Sequence, residues 1–122
     1  MDTFLNTQPI YLQIMNLIKK QIATSVFSPG QLLESVRELA MVYQVNPNTV
    51  QRALSELERE GLVRSERTIG RYITKDEAAI AQLHQNLVDE ATSTYINTLL
   101  ELHMSQESII TTVKNRLKGD NT

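Results

Sequence analysis

The chain has 122 residues, 12 Lys and Arg against 14 Asp and Glu, a formal net charge of −2, 5% aromatic residues and no tryptophan. This length suits one domain or a small domain with an appendage, since single domains usually run about 100–150 residues, and the core has to come from Leu, Ile and Val with a few Tyr and Phe. The absence of cysteine excludes a disulfide framework and the common zinc sites, while no apolar run approaches the ~20 residues of a membrane span and no signal-peptide pattern opens the chain. The expectation is a cytoplasmic protein without metal or cofactor.

Residues 1–8 read as a loose terminus. Pro9 suits the first turn of a helix, and Ile10, Ile14, Leu17, Ile18 and Ile22 recur at helical spacing through about Thr24. Phe27-Ser28-Pro29-Gly30 breaks the pattern. Ser35-Val36-Arg37-Glu38 is a capping box that opens a second helix, with Leu39, Ala40 and Tyr43 as its buried face and an end near Tyr43. Asn46 is a good N-cap and Pro47 a good first residue for a third helix, whose stripe is Val50, Ala53, Leu54 and Leu57. Gly61 is placed to end it. Only Gln44, Val45 and Asn46 separate the second and third helices, so they should cross steeply, with Ala40 at the contact.

Leu62-Val63-Arg64 and Tyr72-Ile73-Thr74 are β-prone runs around Thr68-Ile69-Gly70, a hairpin pattern. The fold class expected is therefore mainly α: a winged helix-turn-helix domain with a β-hairpin wing over residues 1–75. A helical tail over residues 76–122 follows it. Thr74-Lys75-Asp76-Glu77 reads as a second capping box before a long helix with the stripe Ile80, Leu83, Leu87, Ala91, Tyr95, Leu99 and Leu102, ending near His103 or Met104. Roughly 28 residues at a helical rise of about 1.5 Å each would span ~42 Å, more than a small domain is wide. Ser105 then caps a last helix bearing Ile109, Ile110, Val113 and Leu117, which Gly119 closes.

The charge is unevenly divided. Up to Lys75 nine basic residues face seven acidic ones, a net +2; from Asp76 onward three face seven, a net −4. An anionic partner is thus expected for the first part alone.

Three features carry that expectation. The third helix leaves Asn48, Thr49, Gln51, Arg52, Ser55 and Glu56 outside its apolar stripe, a mixture suited to base edges in a major groove, where Gln or Asn pairs with adenine and Arg with guanine. An ordinary solvated helix face has the same look. Arg37 lies in the first turn of its helix, where a cation is disfavoured unless a phosphate is near, or unless Glu34 or Glu38 pairs with it. Arg64, Arg67 and Arg71 cluster on the hairpin, where they suit a DNA backbone or minor groove, or else protect an edge strand.

Catalysis is excluded on inventory. His84 and His103 are nineteen positions apart on one predicted helix, about 28 Å by its rise. No phosphate loop, nucleophile elbow or carboxylate cluster is present. Tyr95 and Met104 read as packing residues.

The sequence resembles the GntR family of bacterial transcription regulators. The resemblance rests on Pro9-Ile10-Tyr11, Pro29-Gly30, Ser35-Val36-Arg37-Glu38-Leu39-Ala40, Val45-Asn46-Pro47-Asn48-Thr49-Val50 and Leu57-Glu58-Arg59-Glu60-Gly61-Leu62-Val63. It covers about residues 9–74, and the short two-helix tail is similar to the YtrA subfamily. The resemblance implies a dimeric DNA-binding regulator, usually a repressor, often near transporter genes. It also implies contacts to double-stranded DNA from Ser35, Arg37, Asn46, Asn48, Thr49, Gln51 and Arg52, and from Arg67, Thr68, Gly70 and Arg71 of the wing. Glu34 and Ser25 stand where the family commonly has proline and glycine, and Thr68 and Arg71 replace a glycine and a threonine of its wing.

The tail is read as the dimerisation element, through Ile80, Leu83, Leu87, Ala91, Tyr95, Leu99, Leu102, Ile110, Val113 and Leu117, because one small domain cannot cover so long a stripe. The expected function is a homodimeric repressor on an inverted-repeat operator, with no membrane partner and an unknown effector, if any. The alternative is a winged-helix module that contacts protein.

Overall fold

The computed structural model describes residue 4 and residues 7–120. The expected loose terminus over residues 1–8 falls in large part outside that range. The elements follow the order α1 (Ile10–Ala23), α2 (Val36–Tyr43), α3 (Pro47–Arg59), β1 (Val63–Glu66), β2 (Gly70–Ile73), α4 (Glu77–Glu101) and α5 (Gln106–Asp120). The described residues fall into two compact units, one through Gln85 and one from Asn86 onward.

In the first unit α1 and α2 both pack on α3. The reason lies in the 3.6-residue period. Ile14, Met15, Ile18 and Ile22 of α1, Leu39, Ala40 and Tyr43 of α2, and Val50, Ala53, Leu54 and Leu57 of α3 are all buried. Met15 replaces the expected Ile10, which is exposed, and Leu17 is only half-buried. β1 and β2 pair antiparallel, Val63 opposite Ile73 and Glu66 opposite Gly70, around a three-residue tip of Arg67, Thr68 and Ile69. Val63 and Ile73 are buried and anchor the hairpin base. Residues 30–33 line the other edge of β2: the Leu33 and Ile73 amides donate to Arg71 and Gln31 carbonyls, both at 2.8 Å.

Helix ends follow local chemistry. Ser35 forms both halves of its capping box. Asn46 Oδ1 accepts from the Asn48 amide at 2.8 Å, with Pro47 in the first turn of α3. Past α3, Gly61 takes φ +79°, the Leu62 amide donates to Leu57 and the Gly61 amide to Glu58. That is the Schellman closure, and it needs a left-handed residue at this place. At the end of α4, His103 fills the same role with φ 64°, its amide on Leu100 and the Met104 amide on Leu99.

Three expectations are corrected. The box at Thr74 does not form: Thr74 is buried and its Oγ1 accepts from the Asp76 amide, while Asp76 Oδ1 caps α4 through the Ala78 and Ala79 amides. α4 therefore starts at Glu77, has 25 residues and spans about 37 Å, and His103 lies past its end. Gly119 does not close the last helix, which runs on to Asp120. Ser105 caps it as expected, accepting from the Ser108 amide at 3.1 Å.

Ser25 follows the C-cap of α1 with φ 62°. A side chain in this left-handed region costs about 1–2 kcal/mol, partly offset because glycine loses more freedom on folding. Ser25→Gly is expected to raise the unfolding free energy by about 0.5–1 kcal/mol, measured by urea titration. Lower stability in the variant would contradict the assignment of strain to this turn.

Candidate nucleic-acid interface

Three surfaces of the first unit place the residues singled out above. The start of α2 presents Arg37 as its second residue, exposed to solvent. Among the described residues no ion pair involves Arg37, so neither Glu34 nor Glu38 neutralises it. Glu38 is occupied otherwise: its Oε1 accepts from the Ser35 amide at 3.0 Å, and its own amide donates to Ser35 Oγ at 3.1 Å. The Ser35 backbone bond, then the Ser35 hydroxyl, hold the Glu38 carboxyl below the usual glutamate range. A cation left without a carboxylate at the positive end of a helix is free to pair with an external anion.

The N-terminal half of α3 presents Asn48, Gln51 and Arg52 exposed, with Thr49 half-buried beside them. Asn46 uses its Oδ1 in the cap, which leaves the chemistry of its amide nitrogen to other partners. Gln51 Nε2 makes a long 3.4 Å bond to Ser55 Oγ, easily exchanged for a stronger partner. The Arg52 guanidinium lies 3.8 Å from the centre of the Tyr11 ring. Stacking of this kind fixes the plane of the guanidinium while its N–H edge still donates, so α1 orients a cation of α3. Sequence reasoning did not pair these two residues, because nothing local to either marks the other.

The hairpin supplies the third surface. Arg67, Thr68 and Ile69 form its exposed tip, and Gly70 follows with φ +118°, a conformation that favours glycine. Arg71, expected on the hairpin among groups suited to DNA, lies in β2 below the tip. It is half-buried, and its Nε donates to Glu58 Oε1 at 2.7 Å. Ser65 Oγ donates to the same oxygen, also at 2.7 Å. The Ser65 bond first, then the Arg71 bond, lower the Glu58 pKa.

Both lowered carboxyls imply acid sensitivity. A carboxyl with a depressed folded pKa contributes stability above its unfolded value, and that contribution is lost as pH falls through the folded pKa. Stability is therefore expected to fall as pH drops below 4.5, the ordinary value of these groups. The pair Glu38→Gln and Glu58→Gln is expected to flatten that fall in thermal melts. An unchanged slope would contradict it.

The second unit places the expected dimerisation residues differently from a core. Val88, Tyr95, Ile96, Leu100, Leu102, Ile110, Val113 and Leu117 are exposed, and Ile109 is the buried side chain of α5 among the described residues. Leu87 and Leu99 are half-buried and Ala91 is exposed, while Leu83 is buried and Ile80 half-buried in the first unit. No described helix is long and apolar enough to cross a membrane, and no described His, Asp or Glu side chains form a group of three able to hold a metal ion.

Comparison with known proteins accords with this geometry. Residues 10–73 match the family model of the bacterial regulatory proteins of the gntR family. The chain is 34% identical to the HTH-type transcriptional regulator YhcF of Bacillus subtilis, over 97% of this chain and 98% of that protein. It is 36% identical to the HTH-type transcriptional repressor YtrA of Bacillus subtilis, over 94% of this chain and 95% of that one. Among solved structures, a GntR family transcriptional regulator from Listeria monocytogenes superposes with a TM-score of 0.87 at 38% identity, covering 92% of this chain and 98% of that chain.

Proposed function

The chain belongs to the GntR family of bacterial regulatory proteins and is a DNA-binding transcriptional regulator, not an enzyme; on that premise we propose that it acts in the cytoplasm as a homodimeric repressor on an imperfect inverted-repeat operator. The observation that carries the reading is the start of α3, where Val50 and Ala53 are buried while Asn48, Gln51 and Arg52 are exposed, on a helix that packs against α2, which bears the exposed and unneutralised Arg37. A rigid helix with hydrogen-bonding side chains on its free face, next to a cation at a helix start, reads bases while a phosphate is held.

In this reading Asn48, Thr49, Gln51 and Arg52 face the major groove, with Asn46 and Ser35 at its rim. Arg37 holds a phosphate, and Arg67, Thr68 and Gly70 approach the minor groove. Repression is supported by the likeness to YtrA, a repressor. The regulated gene in this reading is a transporter gene, as the resemblance to the family implies. Dimerisation is supported by the eight large apolar side chains left exposed on the second unit, apolar surface that a second copy would cover. A two-fold dimer would set half-sites about 34 Å apart, or a multiple of that.

A gel shift on the DNA upstream of the protein's own gene tests the reading. The expected result is a sequence-dependent band that weakens steeply with salt, because phosphate contacts release counterions. Gln51→Ala is expected to cost about 1–3 kcal/mol of discrimination at one base pair. Unchanged DNA affinity in both Arg37→Ala and Gln51→Ala would favour the protein-contacting alternative.

A further inference from the structure

We propose that Arg71 is a positioning residue, which fixes the wing on the recognition helix through Glu58 and does not itself touch DNA. The inference rests on the reading that the wing meets DNA. Arg71 and Ser65 are register partners on β2 and β1, so their side chains emerge on the same face of the hairpin. Both donate to one atom, Glu58 Oε1, at 2.7 Å each. Glu58 stands in the last turn of α3, the helix that carries Gln51 and Arg52 at its other end.

The consequence is geometric. Val63 and Ile73, paired and buried, hold the base of the hairpin, and residues 30–33 bond the outer edge of β2 up to the Arg71 carbonyl, a contact with the segment before α2 and not with α3. The Glu58 fork adds a side-chain anchor to α3 two residues nearer the tip than the Val63–Ile73 pair, and it holds both strands. The tip of Arg67, Thr68 and Ile69 thereby takes its direction from α3, and the spacing between major-groove and minor-groove contacts becomes a property of one rigid unit. The Arg71 side chain is 20% exposed and that of Glu58 32%, so the pair is sheltered from the screening that weakens surface ion pairs. An arginine engaged in this way has its Nε unavailable to a phosphate, and the carboxylate beside it repels one.

The two roles give opposite signs for Glu58→Ala. If Arg71 positions the wing, losing Glu58 weakens operator binding. If Arg71 contacts phosphate, losing Glu58 frees the guanidinium, removes a negative charge and leaves binding unchanged or tighter. The experiment is operator affinity, by fluorescence anisotropy on the full chain, for Glu58→Ala, Arg71→Ala, their double variant, Glu58→Gln, Ser65→Ala and Arg67→Ala, each checked for an unchanged circular dichroism spectrum. We expect roughly ten-fold weakening for each of the two alanine variants and no further loss in the double variant, as residues acting through one contact behave. Glu58→Gln, which keeps an acceptor for both donors, should recover most of the affinity. Ser65→Ala, which removes one hydroxyl, gives a smaller loss and serves if the other variants fold poorly.

Weakening by Arg67→Ala without weakening by Glu58→Ala overturns the positioning role alone. Additive losses in the double variant overturn it as well. No loss in any of these variants, Arg67→Ala included, overturns the wing contact and the positioning role with it.

Discussion

Leu54→Ala is expected to destabilise the protein by about 2–5 kcal/mol and to abolish operator binding near its melting temperature, with no change to any group that faces DNA. Leu54 is 1% exposed on the inner face of α3, where α1 and α2 both pack. The side chain is lost from the face that α3 turns to the core it shares with α1, whose Ile14, Ile18 and Ile22 are themselves buried, in a close-packed interior that relaxes only in part. Domains of this size hold about 5–15 kcal/mol in all, so a single cavity removes a large fraction. Chemical denaturation gives the value directly. Gln51→Ala is the counterpart on the opposite face: exposed, it should leave stability within about 0.5 kcal/mol and change only DNA binding. If Leu54→Ala cost less than Gln51→Ala in stability, the assignment of inner and outer faces of α3 would be wrong.

The second large effect concerns the tail. Ile110→Glu with Leu117→Glu is expected to convert the proposed dimer to a monomer and to weaken operator binding by about 10²–10⁴-fold, the range lost when two linked sites become one. These side chains are 55% and 60% exposed in the single chain, so added charge there removes no contact within it. The melting of the first unit should stay the same, while sedimentation reports half the mass. Glutamate suits the test because the tail already carries a net −4, and two acidic copies facing each other repel. A variant that stays dimeric with full affinity would move the dimer interface off this surface.

Much of the first unit was legible in the sequence because its signals are local. The Ser35 box, the Asn46 cap with Pro47, and the α3 stripe of Val50, Ala53, Leu54 and Leu57 each depend on residues within a turn or two of each other, and each stands where it was read. Gly61 has the left-handed φ its position called for. What the sequence hid is long-range or competitive. Residues 30–33 join the hairpin edge through partners some forty positions away. Arg71 finds Glu58 thirteen residues back and Arg52 finds Tyr11 on another helix. At the start of α4 two capping residues compete, and Asp76 wins because Thr74 is buried and turned to hold the Asp76 amide. Gly119 fails as a stop signal, since α5 runs through it to Asp120. The net charge of −2 averages over +2 through Lys75 and −4 beyond it, so the charge of the whole chain hides its basic part.

The central claim is that the outward face of α3, presented twice by a dimer, selects a DNA sequence. Selection of bound fragments from sheared genomic DNA by the purified full-length protein, followed by sequencing, tests it most directly. The expected outcome is a shared imperfect inverted repeat whose half-site centres lie about 10–10.5 base pairs apart or a multiple of that, with the preference at one position of each half-site relaxed in the pool that Gln51→Ala selects. Fragments with no common sequence, or a repeat selected by Gln51→Ala with every position as sharply preferred as by the native protein, would contradict it.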